Sequence, residues 1–253
     1  MATDVLADQR DGAARGGLLN RTELEAELAY LAGLDVNYAE DEAPTSTDDP
    51  DWHVDSGYAE LGVEAPGPPE TGGVWERACR IVRNYEFTDH RLLRGVYRRE
   101  ATLLGRDMVL QGRFLLLRFY MPVRVTDAYD TVRGGLRVWG WTYRTLCGHL
   151  EQGRLSYEVV KDEETGKVTF WIHAYSRRAP VPNPFYRVGW ALFGRVTQLE
   201  FYRRVGQRTK ELVDRDPPVT AERQAGLVIV PRHRPDPWWD RFAIDVVRPG
   251  LCP

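Results

Sequence analysis

The sequence predicts an α+β fold in which a curved antiparallel sheet wraps around one long C-terminal helix. Three observations lead to this prediction. Two short helical patterns lie within residues 20–85, strand-like segments fill residues 93–176, and a long amphipathic helix starts near residue 183. Side chains do not easily fill the space between a curved sheet and a helix, so the fold also predicts an internal cavity for a small molecule.

The first 72 residues predict an N-terminal arm. Residues 1–19 are small, polar and aperiodic, which predicts disorder. A helix follows, because Thr22–Glu25 has the pattern of a capping box and leucines then recur at helical spacing. Residues 40–72 are acidic and rich in Pro, Gly, Ser and Thr, which predicts a long loop. We therefore expect one domain over residues 20–213, in which residues 20–72 form an acidic helix and loop.

The middle of the chain predicts a second helix and then a meander of strands. Trp75–Tyr85 has apolar residues at helical spacing. Extended segments rich in β-branched, aromatic and Leu residues follow, and the last two form a hairpin. These segments are Met108–Arg113, Phe114–Tyr120, Val123–Ala128, Leu136–Leu146, Leu155–Lys161 and Lys167–Ser176.

The third predicted helix is the long C-terminal one. Asn183-Pro184 supplies an N-cap and a first helical residue, and Asp216-Pro217-Pro218 ends the helix. Its apolar face contains Val188, Leu192, Val196, Leu199, Tyr202, Val205, Thr209 and Leu212. Residues 214–253 form a Pro-rich extension that carries Trp238 and Trp239. We expect this extension to pack on the body, because two exposed Trp rings would leave much apolar area in water.

Charge is distributed unevenly along the chain. Residues 1–70 hold 17 acids and 3 Arg, a net charge of −14, while the rest of the chain has a net charge of +11. An acidic arm is therefore expected to lie across a basic body. Nucleic-acid binding by that body is an alternative. The bases are spread along the chain rather than clustered, which argues against it. The excess of Arg over Lys is typical of a GC-rich genome, such as an actinobacterial one.

The three cysteines, Cys79, Cys147 and Cys252, lie far apart without metal-ligand spacing. Their odd number argues against a disulfide framework, so the prediction is a protein of the reducing cytoplasm. The N-terminus lacks the apolar segment of a secretory signal, and no run of about 18 apolar residues predicts a membrane span. No phosphate-binding loop, dinucleotide fingerprint or zinc motif occurs, so no cofactor or metal is predicted.

Four short motifs occur in the same order as in a known family. Trp141–His149, followed by Glu151–Gly153, resembles the signature YGTLPGHPE-x-GE. Ala174–Arg177 resembles AFSRP, while Gly57-Tyr58 and Gly73–Ala78 resemble the GY and FERA elements. These motifs are similar to those of the bacterial and plant domain-of-unknown-function family nineteen-ninety, a part of the SRPBCC superfamily. The resemblance implies a helix-grip (START-like) fold that binds lipids, sterols, polyketides or hormones and sometimes carries cyclase, hydrolase or dehydratase activity.

The chain also departs from the family signature. Arg144 replaces a Gly, and Cys147 and Arg178 each replace a Pro. Arg154 and Leu155 replace an acidic pair. If those acids take part in a reaction of the family, this chain has lost or altered that reaction.

Two function hypotheses follow, and the resemblance on which they rest spans residues 30–213. The first is binding of an apolar, polyketide- or lipid-like molecule in an internal cavity. The second is a cofactor-independent cyclase, dehydratase or isomerase of secondary metabolism that uses His149, Glu151 and Tyr143 as acid–base groups. A His held by a carboxylate acts as a base near neutral pH, and a phenol orients or protonates an oxygen. The alternatives are a strand-end His bonded to the backbone and a core Tyr.

A further set of residues consists of candidate ligand-binding side chains. These are Trp139, Trp141, Arg124, Trp171, His173 and Tyr175. The first two share a strand face with Tyr143 and either line the cavity or pack in the core. The last three lie on one strand whose inward parity stays open.

Three polar residues of the resemblance have equally open roles. Arg124 and Arg177 match Arg positions of the family. Each either pairs with a ligand carboxylate or forms a structural ion pair with Glu158 or Asp127. Cys147 is a nucleophile only if a base lowers its pKa.

Overall fold

A large antiparallel sheet with three α-helices accounts for most of the residues that the computed structural model describes, which are 14–16, 19–114, 116–215, 222–224, 226–231 and 242–252. The elements in chain order are β1 (Ala14–Gly16), α1 (Arg21–Leu31), a 3₁₀ turn (Glu40–Glu42), β2 (His53–Val63), α2 (Val74–Arg83), β3 (Leu93–Arg98), β4 (Asp107–Phe114), β5 (Leu117–Arg133), β6 (Leu136–Thr145), β7 (Glu151–Asp162), β8 (Lys167–Arg178), α3 (Pro184–Val213), β9 (Glu222–Gln224), β10 (Leu227–Val230) and β11 (Ile244–Val247). The predicted α+β class, with its antiparallel sheet and long C-terminal helix, is confirmed.

The strands form one sheet in the order β2-β8-β7-β6-β5-β4-β3-β10-β9. Neighbours along this path are antiparallel, whereas β11 pairs in parallel with the start of β5 and antiparallel with β1. Strand β2 has only β8 as a partner within the described residues, so it forms one edge of the sheet. This edge position matters for the site described below.

Two strands differ from the sequence prediction. Strand β2 lies inside residues 40–72, for which the sequence predicts a loop, because Gly57 and the acidic residues Asp55 and Glu60 hide its alternation. Strand β5 is continuous through Pro122, where the sequence suggested a break. Its edge partner changes there from β11, which ends opposite Tyr120, to β6, which begins opposite Val123. A proline is tolerated at this point because its missing N–H has no ladder partner to serve.

The two faces of the sheet carry separate cores. The inner face packs against α2 and α3 and includes Trp141, Tyr157 and Phe170. The outer face packs against α1 through its leucines. The cap of α1 lies two residues earlier than predicted. Asn20 accepts a hydrogen bond from the Glu23 amide at 3.0 Å, and Glu23 accepts one from the Asn20 amide at 2.8 Å.

Ion pairs join the acidic N-terminal segment to basic side chains of the sheet and α3. These pairs are Glu40 with Arg144, Glu42 with Arg177, Asp55 with Arg195, Glu60 with Lys167 and Glu64 with Lys161. Arg144 is one of the departures from the family signature. Its pairing with Glu40 accounts for a charged residue at a position where the signature has Gly.

The C-terminal strands belong to the main sheet. Arg118 of β5 and Asp245 of β11 form a buried ion pair at 2.5 Å. Trp238 and Trp239, which are predicted to pack on the body, lie outside the described residues. Of residues 1–19, for which the sequence predicts disorder, residues 14–16 form β1 against β11, and residues 1–13 lie outside the described ranges. No helix within the described ranges is both long and apolar enough to cross a bilayer.

A disulfide links Cys147 to Cys252, with Cα atoms 4.8 Å apart. The prediction against a disulfide is therefore wrong. The two residues are 105 positions apart, and sequence spacing gives no sign of their contact. The cysteines therefore no longer support the prediction of a reducing compartment. Cys79 remains a free thiol, and its burial raises its pKa.

Candidate functional site

A groove of about 530 Å³ lies between the edge strand β2 and the C-terminal half of α3. Its floor is apolar and comes from three elements. The floor residues are Gly57 and Ala59 of β2, Phe170 and Ile172 of β8, and Leu199 and Tyr202 of α3. Leu199 is 47% exposed and Tyr58 at the rim is 65% exposed, so the groove is open to solvent on one side.

Two glycines create the groove. A Cβ added at Gly206 of α3 would lie 2.8 Å from the Cβ of Ala59, so the missing side chain lets helix and strand touch there. A Cβ added at Gly57 would meet nothing within 4 Å. Gly57 is paired with Ile172 across the ladder. The helix therefore contacts β2 at Ala59 and leaves free space two residues away.

One end of the groove is closed by a polar cluster. The Arg195 guanidinium donates to the Asp55 carboxylate at 2.6 Å. The Gln198 amide donates to Ser176 Oγ at 2.9 Å and to the Glu151 carboxylate at 3.3 Å. Polar groups from β2, β7, β8 and α3 meet here and satisfy one another.

Tyr202 lies between the polar cluster and the apolar floor. Burial raises the pKa of its phenol, and the carboxylates of Glu151 and Asp55 act in the same direction. The phenol therefore stays protonated at neutral pH. It offers a hydrogen-bond donor next to an apolar surface.

Tyr143 lies behind the groove in a packed aromatic cluster. Its ring centroid is 6.2 Å from that of Tyr157, which in turn stacks on Phe170 of the groove floor. The hydroxyl oxygens of Tyr85 and Tyr157 are 3.5 Å apart. Burial raises the pKa of Tyr143 well above its usual value, so this phenol is a donor and not a base.

Trp139 and Trp141 pack under α2. Trp141 is fully buried, and its indole N–H donates to the Val82 carbonyl at 3.2 Å. The Arg83 guanidinium lies 5.8 Å from the centre of the Trp139 ring. Of the two roles left open for these rings, the contacts favour core packing.

His149 holds the turn between β6 and β7. Its Nδ1 accepts a hydrogen bond from the Glu151 amide at 2.9 Å. Burial lowers the pKa of the imidazole to about 3, so it is neutral at physiological pH. The Glu151 carboxylate instead contacts Gln198. These contacts fit the structural alternative, in which the His is bonded to the backbone.

The burial of His149 predicts a stability that falls in acid. Below pH 6.5 the unfolded chain takes up a proton at this residue, whereas the folded protein does not until about pH 3. The contribution of His149 to stability is therefore fully present above pH 6.5 and is lost as the pH falls toward 3. We expect a loss of about 2 kcal/mol in the free energy of unfolding between pH 7 and pH 5 from this residue alone.

Urea unfolding of the wild type and of His149→Asn at pH 7, 6 and 5 measures this contribution. The Asn side chain retains an acceptor for the Glu151 amide but does not titrate. As the pH falls, the wild type should lose more unfolding free energy than the variant. A difference that is constant with pH would contradict a neutral, buried His149.

Trp171, His173 and Tyr175 lie on the outer face of β8, which corrects their predicted place in a cavity. The side chains that point inward are their neighbours Phe170, Ile172 and Ala174. Successive residues of a strand face opposite sides of the sheet. Because Trp171, His173 and Tyr175 are spaced by two, all three face outward together.

Each of these outward residues has a partner on the outer surface. The Trp171 ring stacks on those of Tyr58 and His173, with centroids 5.0 and 5.8 Å apart. The hydroxyl oxygens of Tyr175 and Tyr38 are 3.1 Å apart.

The two candidate arginines have structural partners, although not the predicted ones. Arg124 donates to Asp107 and to the Leu31 carbonyl at the end of α1, both at 2.6 Å. Arg177 donates to Gln152 at 2.7 Å and pairs with Glu42. We therefore leave both out of the candidate site.

Sequence reasoning missed most of the polar groups at the groove. Asp55, Gln198 and Ser176 have no motif in common and come from elements far apart in the chain. Gly57 was noticed only as part of the resemblance. A glycine inside an alternating strand indicates a close backbone approach or an open space. Gly57 is therefore the residue from which the groove could have been predicted.

An antiparallel sheet that packs along a long C-terminal helix and leaves a groove beside it is the helix-grip arrangement. The chain belongs to the family described as domain of unknown function DUF1990, whose sequence profile matches residues 37–208. No curated protein matches the sequence significantly.

Three solved structures are similar to this chain at low identity. Ara h 8.0201 is 9% identical, with a TM-score of 0.37 over 64% of this chain and 97% of that chain. The hypothetical protein jhp0584 from Helicobacter pylori is 8% identical, with a TM-score of 0.36 over 71% and 93%. The di-domain ARO/CYC BexL from the BE-7585A biosynthetic pathway is 12% identical, with a TM-score of 0.42 over 68% and 53%.

Proposed function

We propose that this protein binds a small apolar molecule, of polyketide or lipid type, in the groove between β2 and α3. The observation that carries the proposal is the apolar lining of the groove, where Leu199 and Tyr58 are exposed to solvent. Its volume of about 530 Å³ falls within the range of ligand pockets, which is roughly 300–1,000 Å³. An apolar ligand gains stability by covering Leu199 and Tyr58, the exposed apolar side chains of the groove.

Catalysis by His149, Glu151 and Tyr143 receives less support. An imidazole with a pKa of about 3 is a poor general base at neutral pH, and its Nδ1 is already hydrogen-bonded. The phenol of Tyr143 is held in a packed cluster behind the floor. We therefore propose binding without a chemical step.

Filling the space above Gly57 should abolish binding. In Gly57→Leu the new side chain occupies open volume on the inner face of β2, without a clash at its Cβ. We expect the dissociation constant of a neutral apolar probe, N-phenyl-1-naphthylamine, to rise at least tenfold, because the probe and the leucine compete for the same floor. Fluorescence titration measures the change.

A matched control is Gly33→Leu. Gly33 lies between α1 and β2, and a Cβ there also meets only one atom, at 3.8 Å. This variant should bind the probe like the wild type. Equal affinity of Gly57→Leu and the wild type, with both proteins folded, would rule out the groove as the binding site.

A further inference from the structure

The two ends of the groove differ in charge. At the closed end, the cation Arg195 is already paired with Asp55, and Glu151 accepts a hydrogen bond from Gln198, so this end offers no unpaired cation of the cluster to an anion. At the open end stand Arg203, Gln207 and Lys210 of α3. The asymmetry indicates which headgroup a ligand presents and in which direction the ligand lies.

We propose that the occupant is an amphipathic anion whose acidic headgroup binds Lys210 while its apolar tail covers Leu199 and Tyr58. This inference rests on the proposed function, because it names the ligand class for the same groove. It adds a residue that determines specificity and a direction of binding.

Lys210 is the uncompensated cation of the groove. Arg203 is neutralised by Glu200, to which it donates two hydrogen bonds at 2.9 and 2.8 Å. No ion pair to Lys210 occurs among the described residues. The pKa of Glu60 is lowered first by Lys167, which binds it at 2.9 Å, and only to a smaller extent by the charge of Lys210. A positive charge beside an apolar floor favours a ligand with one anionic end.

A structural explanation for Lys210 is its position in the last turn of α3, where a cation interacts favourably with the helix dipole. That role would affect stability but would not distinguish one ligand from another. Along α3, about 18 Å separates Gln198 at the closed end from Lys210, at 1.5 Å per residue. The floor between them is long enough for an extended acyl chain.

The test compares three ligands with the same tail and different headgroups. Decanoate, decanol and decylamine each displace N-phenyl-1-naphthylamine from the wild type, Lys210→Gln and Arg21→Gln at low ionic strength. We expect decanoate to bind the wild type about tenfold more tightly than decanol, and decylamine to bind most weakly. Lys210→Gln should lose the preference for decanoate and keep its affinity for decanol.

Arg21→Gln is the matched control, because it removes one positive charge from α1 on the outer face of the sheet, from a side chain that does not line the groove. It should behave like the wild type. Equal affinity for decanoate and decanol in the wild type, or an equal loss of preference in both variants, would overturn the inference and leave the proposed function intact. Failure of all three ligands and the probe to bind the wild type would overturn both.

Discussion

Replacing Lys161 with Met is expected to lower the free energy of unfolding by about 3–5 kcal/mol. Lys161 is fully buried in β7. Its ammonium donates to the Glu64 carboxylate at 2.8 Å and to the Pro68 carbonyl at 2.9 Å. Methionine has a similar volume, so the loss comes from the charge left without its partner and not from a cavity.

Glu64 connects this ion pair to the start of α2. One carboxylate oxygen accepts a hydrogen bond from the Trp75 amide at 2.7 Å, and the other accepts one from the Glu70 amide at 3.2 Å. Burial acts to raise the pKa of Glu64, but the Lys161 ammonium and these two amides together lower it. In Lys161→Met the carboxylate stays buried and loses the one cation that pairs with it among the described residues.

Urea unfolding of three variants separates the ion pair from other effects. The double variant Lys161→Met, Glu64→Gln should recover part of the loss, because no charge then remains buried. Lys167→Met removes the exposed partner of Glu60 and should cost at most about 1 kcal/mol. If Lys161→Met is as mild as Lys167→Met, the buried pair does not anchor α2.

Removing the disulfide by Cys252→Ser is expected to lower the free energy of unfolding by about 2–4 kcal/mol in oxidising buffer. The bond connects residues 105 positions apart and so restricts the unfolded chain strongly. It also ties the C-terminus to the turn that contains His149. A Cβ added at Gly250 would lie 2.0 Å from the His149 carbonyl oxygen, which shows how closely the two segments pack.

A reducing agent supplies the control for this prediction. Dithiothreitol should lower the unfolding free energy of the wild type to the value of Cys252→Ser and should leave the variant unchanged. A wild type that is insensitive to dithiothreitol, with free thiol titration showing three reduced cysteines, would mean that the pairing contributes nothing to stability.

Local patterns determined much of the fold. Alternating residues predicted β6 and the β7–β8 hairpin, and apolar spacing predicted α2 and α3, because each pattern reflects one buried face. For α1 the prediction differs from the structure only at the N-cap, which is Asn20 and not Thr22. It also failed for β2, where Gly57 interrupts the apolar face at the place where the groove requires open space.

The sequence by itself determined the class of fold, the order of most elements, the family and the charge contrast between arm and body, because these follow from composition and local periodicity. Only the tertiary structure decided which side of β8 faces inward, which carboxylates pair with Lys161 and Arg195, and that Cys147 meets Cys252. It also decided that Gly57, Gly206 and Lys210 border one groove. These contacts join residues far apart in the chain, so no local sequence pattern indicates them.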